Sequence, residues 1–483
     1  MKKRFFVLLL IFFIFSLIGC RKEKKILKIS FPNTVFIFDP HQTGWSTDCK
    51  VNSNVFETLV KIKQNLEVVP FLAERWYNPS PREWIFDLRK GVKFHNGEEL
   101  TAEIVKKNFV RISTRELYSP YSNIAKIIDR VKVLSHYKIS FLLKKRSDNF
   151  LILLSDIKLV YLGNNLFSKS SDNKKRIFLG TGPFYFYEIG KDKVILRRFL
   201  KYWKKPSRIE EIQFYFNVTD AANSKNYDIS EIFTFPKKVD KNFHLLIKPS
   251  NYIYFLIFNL RKKPFSDKKL RTLVSRILPY EKILNELKIP NSYRINQLVP
   301  PWLRYSLKEN EVKNEKSECK KKVLDRIIFI FRKTNKISRI TSNVIFKELK
   351  KCFPNLVLLP LSDREWRRKL FFLKDLDMTL FGYGSDSAGV DDVLLKFFHS
   401  YDGRRGILNL FDYSNKELDK LIEEAEKEEN LNLKEEKYRI AHKKALETKY
   451  FVPLFIVPNF YLIKNNIKEK GNFDIGDIYG SIK

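Results

Sequence analysis

Phe86-Asp87-Leu88-Arg89-Lys90-Gly91-Val92-Lys93-Phe94-His95-Asn96-Gly97, followed at once by Leu100-Thr101-Ala102-Glu103, is the stretch on which the fold turns. From Trp84 to Leu88 the side chains alternate with the period of two that a half-buried strand requires. Lys90-Gly91 predicts a turn, and Val92 to Phe94 resumes the strand. Asn96-Gly97 supplies the positive φ angles of a tight turn. Thr101 is a good N-cap for a helix from Ala102 to Arg111, with Glu103 near its positive end.

Outward from this unit the same reading continues. Towards the N-terminus, Leu27–Phe31 is a first strand, and a short helical pattern over Val55–Val60 runs into the turn signal Gln64-Asn65. Towards the C-terminus, strands are expected at Val131–Leu134 and Lys138–Leu143. Phe184–Tyr187 and Lys193–Arg197 pair around Gly190-Lys191-Asp192, and Ile209–Phe216 and Tyr254–Phe258 are β-rich. The region after Pro264 reads as α/β. Strands at Ile327–Phe331, Leu356–Leu361 and Met378–Phe381 alternate with helices at Ser338–Cys352 and Glu365–Leu373, a parallel βαβ arrangement. Two helices fill Asn415–Glu447, and Phe451–Val457 and Phe460–Ile463 return to strands.

Composition bounds what such a chain can do. Its 483 residues suffice for two or three folding units, and 44% hydrophobic with 30% charged residues is a globular mixture. A formal charge of +36 raises the idea of a polyanionic partner, but Lys and Arg are scattered one to three at a time, the pattern of a solvated basic surface.

The N-terminus has the form of a secretory signal: Lys2, Lys3 and Arg4, an apolar run from Phe5 to Ile18, then Gly19 and Cys20. The run is short of the ~20 residues a membrane span needs. Leu17-Ile18-Gly19-Cys20 resembles the bacterial lipobox, which implies a lipid on the Cys20 sulfur and a stable anchor. Residues 21–25 then form a charged tether. Of the remaining cysteines, Cys319 and Cys352 could bridge, or all of Cys49, Cys319 and Cys352 could stay reduced.

Chemistry is sparse. The six histidines (41, 95, 136, 244, 399 and 442) form no metal-ligand spacing, and His-Glu-x-x-His, Gly-x-Ser-x-Gly and the P-loop are absent. Asp391-Asp392 and Glu423-Glu424 read as surface charge. The expectation is therefore a protein that is not an enzyme and uses neither metal nor cofactor.

Several motifs, in order, resemble one family. Asp39-Pro40-His41, Val55-Phe56-Glu57-Thr58-Leu59-Val60 and Pro70-Phe71-Leu72-Ala73-Glu74-Arg75-Trp76 lead into the stretch quoted first. Gly180-Thr181-Gly182-Pro183-Phe184, Tyr202-Trp203, Asn259 with Pro264-Phe265-Ser266-Asp267 and Arg271, and Tyr413-Ser414-Asn415 with Leu418-Asp419 follow. Together they resemble the family 5 extracellular solute-binding proteins of ABC importers, the oligopeptide, dipeptide and nickel type. Ile104 and Arg276-Ile277-Leu278-Pro279 depart from the family's pattern.

The resemblance implies a two-lobed α/β fold of the type II periplasmic-binding-protein kind, with three subdomains, mixed sheets in each lobe and a central cleft. It implies a signal peptide at 1–19, a tether at 20–26 and a first-lobe core from 27–57, 178–262 and 464–483. Residues 58–177 would be an inserted subdomain, and 263–463 the second lobe. Gly382-Tyr383-Gly384-Ser385-Asp386 resembles the family's Gly-Trp-x-x-Asp segment. That implies Asp386 as the anchor for a peptide's α-ammonium, with Tyr383, Gly384, Ser385 and the early-loop Trp45 against the ligand. The implied partners are short peptides, an ABC permease with its ATPase, and the membrane through the lipid. Nucleic acid is not among them, and a monomer is expected. The same fold could instead take a muropeptide, a nickel chelate or another solute, or the chain could be a basic surface lipoprotein acting as an adhesin or polyanion binder.

Overall fold

A computed structural model describes residues 25–482 apart from 33–37, 43–45, 64–66, 115–118, 120, 122–123, 125–126, 148–149, 163–166, 170–175, 219–222, 233–235, 237, 309–316, 320–321, 385–388, 403–404, 407 and 471–473. The expected signal and lipid-bearing cysteine lie outside the described residues, within which no helix is long and apolar enough to cross a membrane.

The strands run in chain order β1 (Ile26–Ser30), β2 (Val60–Ile62), β3 (Val68–Pro70), β4 (Ala73–Ser80), β5 (Glu83–Leu88), β6 (Ile128–Ser135) and β7 (Lys138–Leu143). Next come β8 (Phe167–Lys169), β9 (Arg176–Phe178), β10 (Phe184–Ile189), β11 (Lys193–Arg198), β12 (Glu211–Tyr215), β13 (Ile229–Ile232) and β14 (Phe243–Lys248). The last are β15 (Tyr252–Phe258), β16 (Tyr293–Arg294), β17 (Ile327–Arg332), β18 (Leu356–Leu361), β19 (Met378–Gly384), β20 (Phe451–Ile456) and β21 (Asn459–Lys464).

Two large mixed sheets dominate. The first has order β10-β11-β12-β1-β13-β21-β14, with β1 parallel to both its neighbours. The second has order β16-β20-β15-β19-β17-β18, with β17 parallel to β18 and β19. Its central strands are apolar on both faces because helices cover both. In β15, Ile253, Phe255 and Ile257 enter one core, which also holds Trp366 and Phe397. Tyr254, Leu256 and Phe258 enter the other, with Ile345 of the helix Lys336–Leu349. A four-stranded antiparallel sheet, β4-β5-β7-β6, packs Phe86, Ile139 and Phe141 against Val105 and Phe109 of the helix Ala102–Ser113.

That helix begins as expected, with the Thr101 hydroxyl accepting from the Ile104 amide. The turn before it is narrower than expected. Only Gly97 has a positive φ, +91°, and of the expected Val92–Phe94 strand only Lys93 pairs, as a single bridge to Glu99.

Val55–Val60 is not helical. The helix lies earlier, at Ser46–Asn52, and the following chain is drawn out because its carbonyls serve distant partners. The Val55 carbonyl accepts from the Gly182 amide at 2.9 Å, and that of Glu57 accepts from Leu159 at 2.8 Å. Cys319 and Cys352 form a disulfide, which fixes the segment before β17 to the end of the helix Lys336–Leu349.

The chain crosses from the first large sheet to the second between β14 and β15, and returns between β20 and β21. The two crossings are tied together: the buried Ser250 hydroxyl donates to the Val457 carbonyl at 2.6 Å. The boundaries implied by the resemblance at 262 and 463 fall after β15 and within β21.

Candidate functional site

Because β17, β18 and β19 are parallel, their C-terminal ends (Arg332, Leu361 and Gly384) lie along one edge of the second sheet. β15 is antiparallel to β19, with Tyr252 opposite Gly384, so it starts at that edge. β20 finishes there, with Ile456 opposite Ile253. The edge where parallel strands end is therefore also the edge where both crossings leave for the other sheet. In α/β folds, loops beyond the C-terminal strand ends are where ligands sit.

The edge carries aromatic surface. Tyr252 is 41% exposed and Trp302 46%, and the Trp302 indole N–H donates to the Asn251 side chain at 3.0 Å, holding its loop against the first crossing. The Tyr252 ring lies over Gly382, where an added Cβ would stand 2.3 Å from the phenol oxygen; glycine here lets the ring lie flat on the strand. Behind it Tyr254 stacks on Phe455 at 5.1 Å.

Tyr383, at the end of β19, is held on two sides. Its ring meets Phe397 edge-on at 4.8 Å. Its hydroxyl donates to Asp392 Oδ2 at 2.6 Å and accepts from Lys396 Nζ at 3.0 Å, while Lys396 pairs with Asp392 Oδ1 at 2.7 Å. Asp391 and Asp392 are only 5% and 8% exposed, which corrects their reading as surface charge. They occupy the first turn of the helical stretch Val390–Phe398, where unpaired amides favour carboxylates. Burial pushes the Asp391 carboxyl up to about 6, against the pull of Arg304, whose guanidinium is 3.9 Å away. Asp391 Oδ1 has no hydrogen-bond partner among the described residues.

Of the residues expected to touch ligand, the structure places Tyr383 and Gly384 on this edge; Trp45, Ser385 and Asp386 lie outside the described residues. Sequence reasoning missed Asp392 and Lys396. Their i,i+4 spacing was the available signal, but the helix carrying them was not expected.

Most motif residues do other work. Glu57 is buried, and its carboxylate accepts from the Thr181 hydroxyl at 2.9 Å, the Tyr202 phenol at 2.7 Å and the Trp203 indole at 2.9 Å. Burial raises its pKa and the three donors oppose the rise. Three separated motifs thus converge on one carboxylate. Gly180 and Gly182 press on the Val55 carbonyl, which a Cβ would approach to 2.1 and 2.6 Å.

Two histidines lock the same side of the molecule as neutral rings. His41 accepts from Arg111 at 2.7 Å and donates to the Lys158 carbonyl at 2.8 Å. His95 accepts from the Gly180 amide at 3.2 Å and donates to the Gly182 carbonyl at 3.0 Å. Burial lowers both to about 4.

The bacterial extracellular solute-binding proteins, family 5, match residues 67–404 of this chain, and it belongs to that family. It is 24% identical over 287 residues to the dipeptide-binding protein of Escherichia coli, covering 52% of this chain and 53% of the relative. The chain spans about half the length of the curated relatives it matches. Solved structures align over nearly their whole length. The oligopeptide-binding protein AppA of Bacillus subtilis, in complex with a nonapeptide, is 18% identical with a TM-score of 0.81, covering 94% of this chain and 97% of AppA. NikA of Staphylococcus aureus, in complex with Ni(L-His)2, is 17% identical with a TM-score of 0.79, covering 95% and 99%. The fold is accordingly the two-lobed, type II periplasmic-binding-protein-like α/β fold, with a mixed sheet in each lobe and a cleft between them.

Proposed function

We propose that this chain captures short peptides in the interlobe cleft, outside the cytoplasmic membrane, and passes them to an ABC permease. The observation that carries the reading is the shared edge. Three parallel strand ends and both interlobe crossings meet there under exposed aromatic side chains, and Asp386 follows the end of β19 two residues on in the sequence. In this reading Asp386 holds the peptide's ammonium through charge-assisted hydrogen bonds, with Tyr383, Gly384 and Ser385 beside it and Trp45 on the facing lobe. The peptide backbone pairs with strand edges, which makes affinity tolerant of sequence. The lobes divide at the two crossings, and differential affinity for the closed arrangement drives hinge closure. A lipid on Cys20 tethers the monomer to the envelope, and the importer's ATPase supplies the work.

The test is calorimetric titration with trialanine and its N-acetyl form. Trialanine should bind, and Asp386→Ala should weaken it by about tenfold or more while leaving the acetylated peptide unchanged. Equal loss for both peptides removes the anchor role; binding of neither removes the peptide reading.

A further inference from the structure

With a lipid on Cys20, only Arg21 to Lys24 separate the anchor from Lys25, where the described chain begins. The Cα steps from Cys20 to Lys25 reach at most ~18 Å, so the surface around Lys25 stands close to the membrane. Lys25 is fixed to the fold, its carbonyl accepting from the Glu210 amide at 2.8 Å. Glu210 closes the loop 199–210, whose ends meet. The Arg198 amide donates to the Glu210 carbonyl at 3.0 Å, and Arg197 of β11 pairs with Glu211 of β12. Every residue of that loop therefore lies within ~22 Å of the point where the tether enters.

The loop is held from within and bare outside. The Tyr202 phenol and Trp203 indole donate inward to Glu57, which pins the backbone. Their neighbours face water: Leu200 is 68% exposed, and Lys201, Lys204, Lys205 and Arg208 are all exposed. Ile26, next to the tether, is 39% exposed. Charge here is not balanced. Glu210 is taken by Arg198 at 3.5 Å, and the adjoining Glu211 by Arg197 at 3.2 Å. Among the described residues, Lys201, Lys204, Lys205 and Arg208 make no ion pair; Lys204 lies over the Trp203 ring at 4.5 Å. The tether adds Arg21, Lys22 and Lys24 against Glu23.

We infer that the loop 199–210 is a docking surface for anionic phospholipid headgroups, which lays this end of the first large sheet against the membrane. The inference rests on the lipid-anchor reading of Cys20 and goes beyond it. Acyl chains limit how far the protein can stray; they do not choose which side it turns to the bilayer. That choice needs a contact from the folded part. Unpaired cations suit a phosphate surface, and Leu200 and Ile26 supply apolar contact at the headgroup boundary. Each Lys or Arg near such a surface is worth about fivefold in its equilibrium. Because the tether already holds the loop beside the headgroups, modest attraction suffices.

The experiment is amine footprinting of the full chain, extracted from membranes and reconstituted into vesicles of phosphatidylcholine alone or mixed with phosphatidylglycerol. Acetylation is read by mass spectrometry, with Lys420, whose side chain is 78% exposed, as the reference. Phosphatidylglycerol should slow acetylation of Lys201, Lys204 and Lys205 about tenfold or more relative to Lys420. Salt at about 1 M, where the Debye length is ~3 Å, should abolish the protection. Lys201→Gln, Lys205→Gln and Arg208→Gln combined, checked for cooperative thermal unfolding, leave Lys204 as the reporter. Its protection should vanish, since three lost cations shift the surface equilibrium on the order of a hundredfold.

Equal acetylation on neutral and anionic vesicles overturns the docking surface, as does protection that survives in the triple variant. Equal protection by glycerol 1-phosphate without vesicles assigns the cations to a soluble anion and overturns it too. Intact-protein mass tests the anchor separately. A chain with no lipid on Cys20 overturns the anchor reading, and protection by added anionic vesicles then still upholds the surface.

Discussion

Two buried carboxylates in this molecule each take a hydrogen bond from a tyrosine, and they behave as opposites. Glu57 is surrounded by three neutral donors from two distant segments (Thr181 in one, the adjacent Tyr202 and Trp203 in the other). Asp392 is met by a tyrosine and a lysine, both within thirteen residues of one another. The first site closes the seam between chain segments more than a hundred residues apart and is turned inward. The second borders the edge where the strands end. A carboxylate that gathers distant motifs is a fastener; the other is paired with residues close to it in the chain, beside the edge where the strands end.

The largest effect should separate these roles. Glu57→Ala leaves three donors, two buried and one half-buried, without their acceptor, and a loss of about 3–5 kcal/mol in urea unfolding is expected. The protein that remains folded should bind ligand with unchanged affinity. A Glu57→Ala protein of wild-type stability would erase the distinction drawn here.

Acid should act on the seam before the edge. His41 and His95 are held neutral in the fold at about 4, below the 6.5 of an exposed histidine, so the unfolded chain binds protons first as pH falls. Their contribution is complete above pH 6.5 and is lost as pH drops towards 4, by as much as roughly 3 kcal/mol each. Asp391 has the reverse sign: its raised pKa favours the fold at low pH, and that contribution fades as pH rises through about 6. Urea midpoints measured from pH 7 to pH 4 should fall steadily, and a His95→Gln variant should flatten the fall. A flat profile in the wild type would show that the two rings are not locked neutral.

The smallest effect belongs to the hinge between the two regions. Ser250→Ala removes the tie between the crossings, and about 1 kcal/mol of stability should go with it. Ligand-dependent fluorescence of Trp302, which is bonded to the neighbouring Asn251, should then saturate at a different ligand concentration. Identical titrations would place the tie outside the closure motion.

Much of this was readable from residues alone. Alternation in β5, the strand at β7, the Thr101 cap, the βαβ run from β17 to β18 and the late helix pair all follow from local pattern. The family resemblance, carried by motifs, agrees with the match over residues 67–404. The errors share one cause. Val55–Val60 has helical spacing, but its carbonyls are claimed by Gly182 and by the segment around Leu159, and a local reading cannot see partners so far along the chain. Asp391-Asp392 looks like solvated charge until Arg304, Lys396 and Tyr383 are brought around it.

What the linear chain determined by itself is which segments are strands and helices and which family they compose. These depend on side-chain periodicity and on turn and cap chemistry within a few residues. Only the tertiary structure decided which polar residues are buried and with whom. Pairing a carboxylate in a low-dielectric interior depends on donors that fold in from elsewhere, and their identity is a matter of three-dimensional distance rather than of order along the chain.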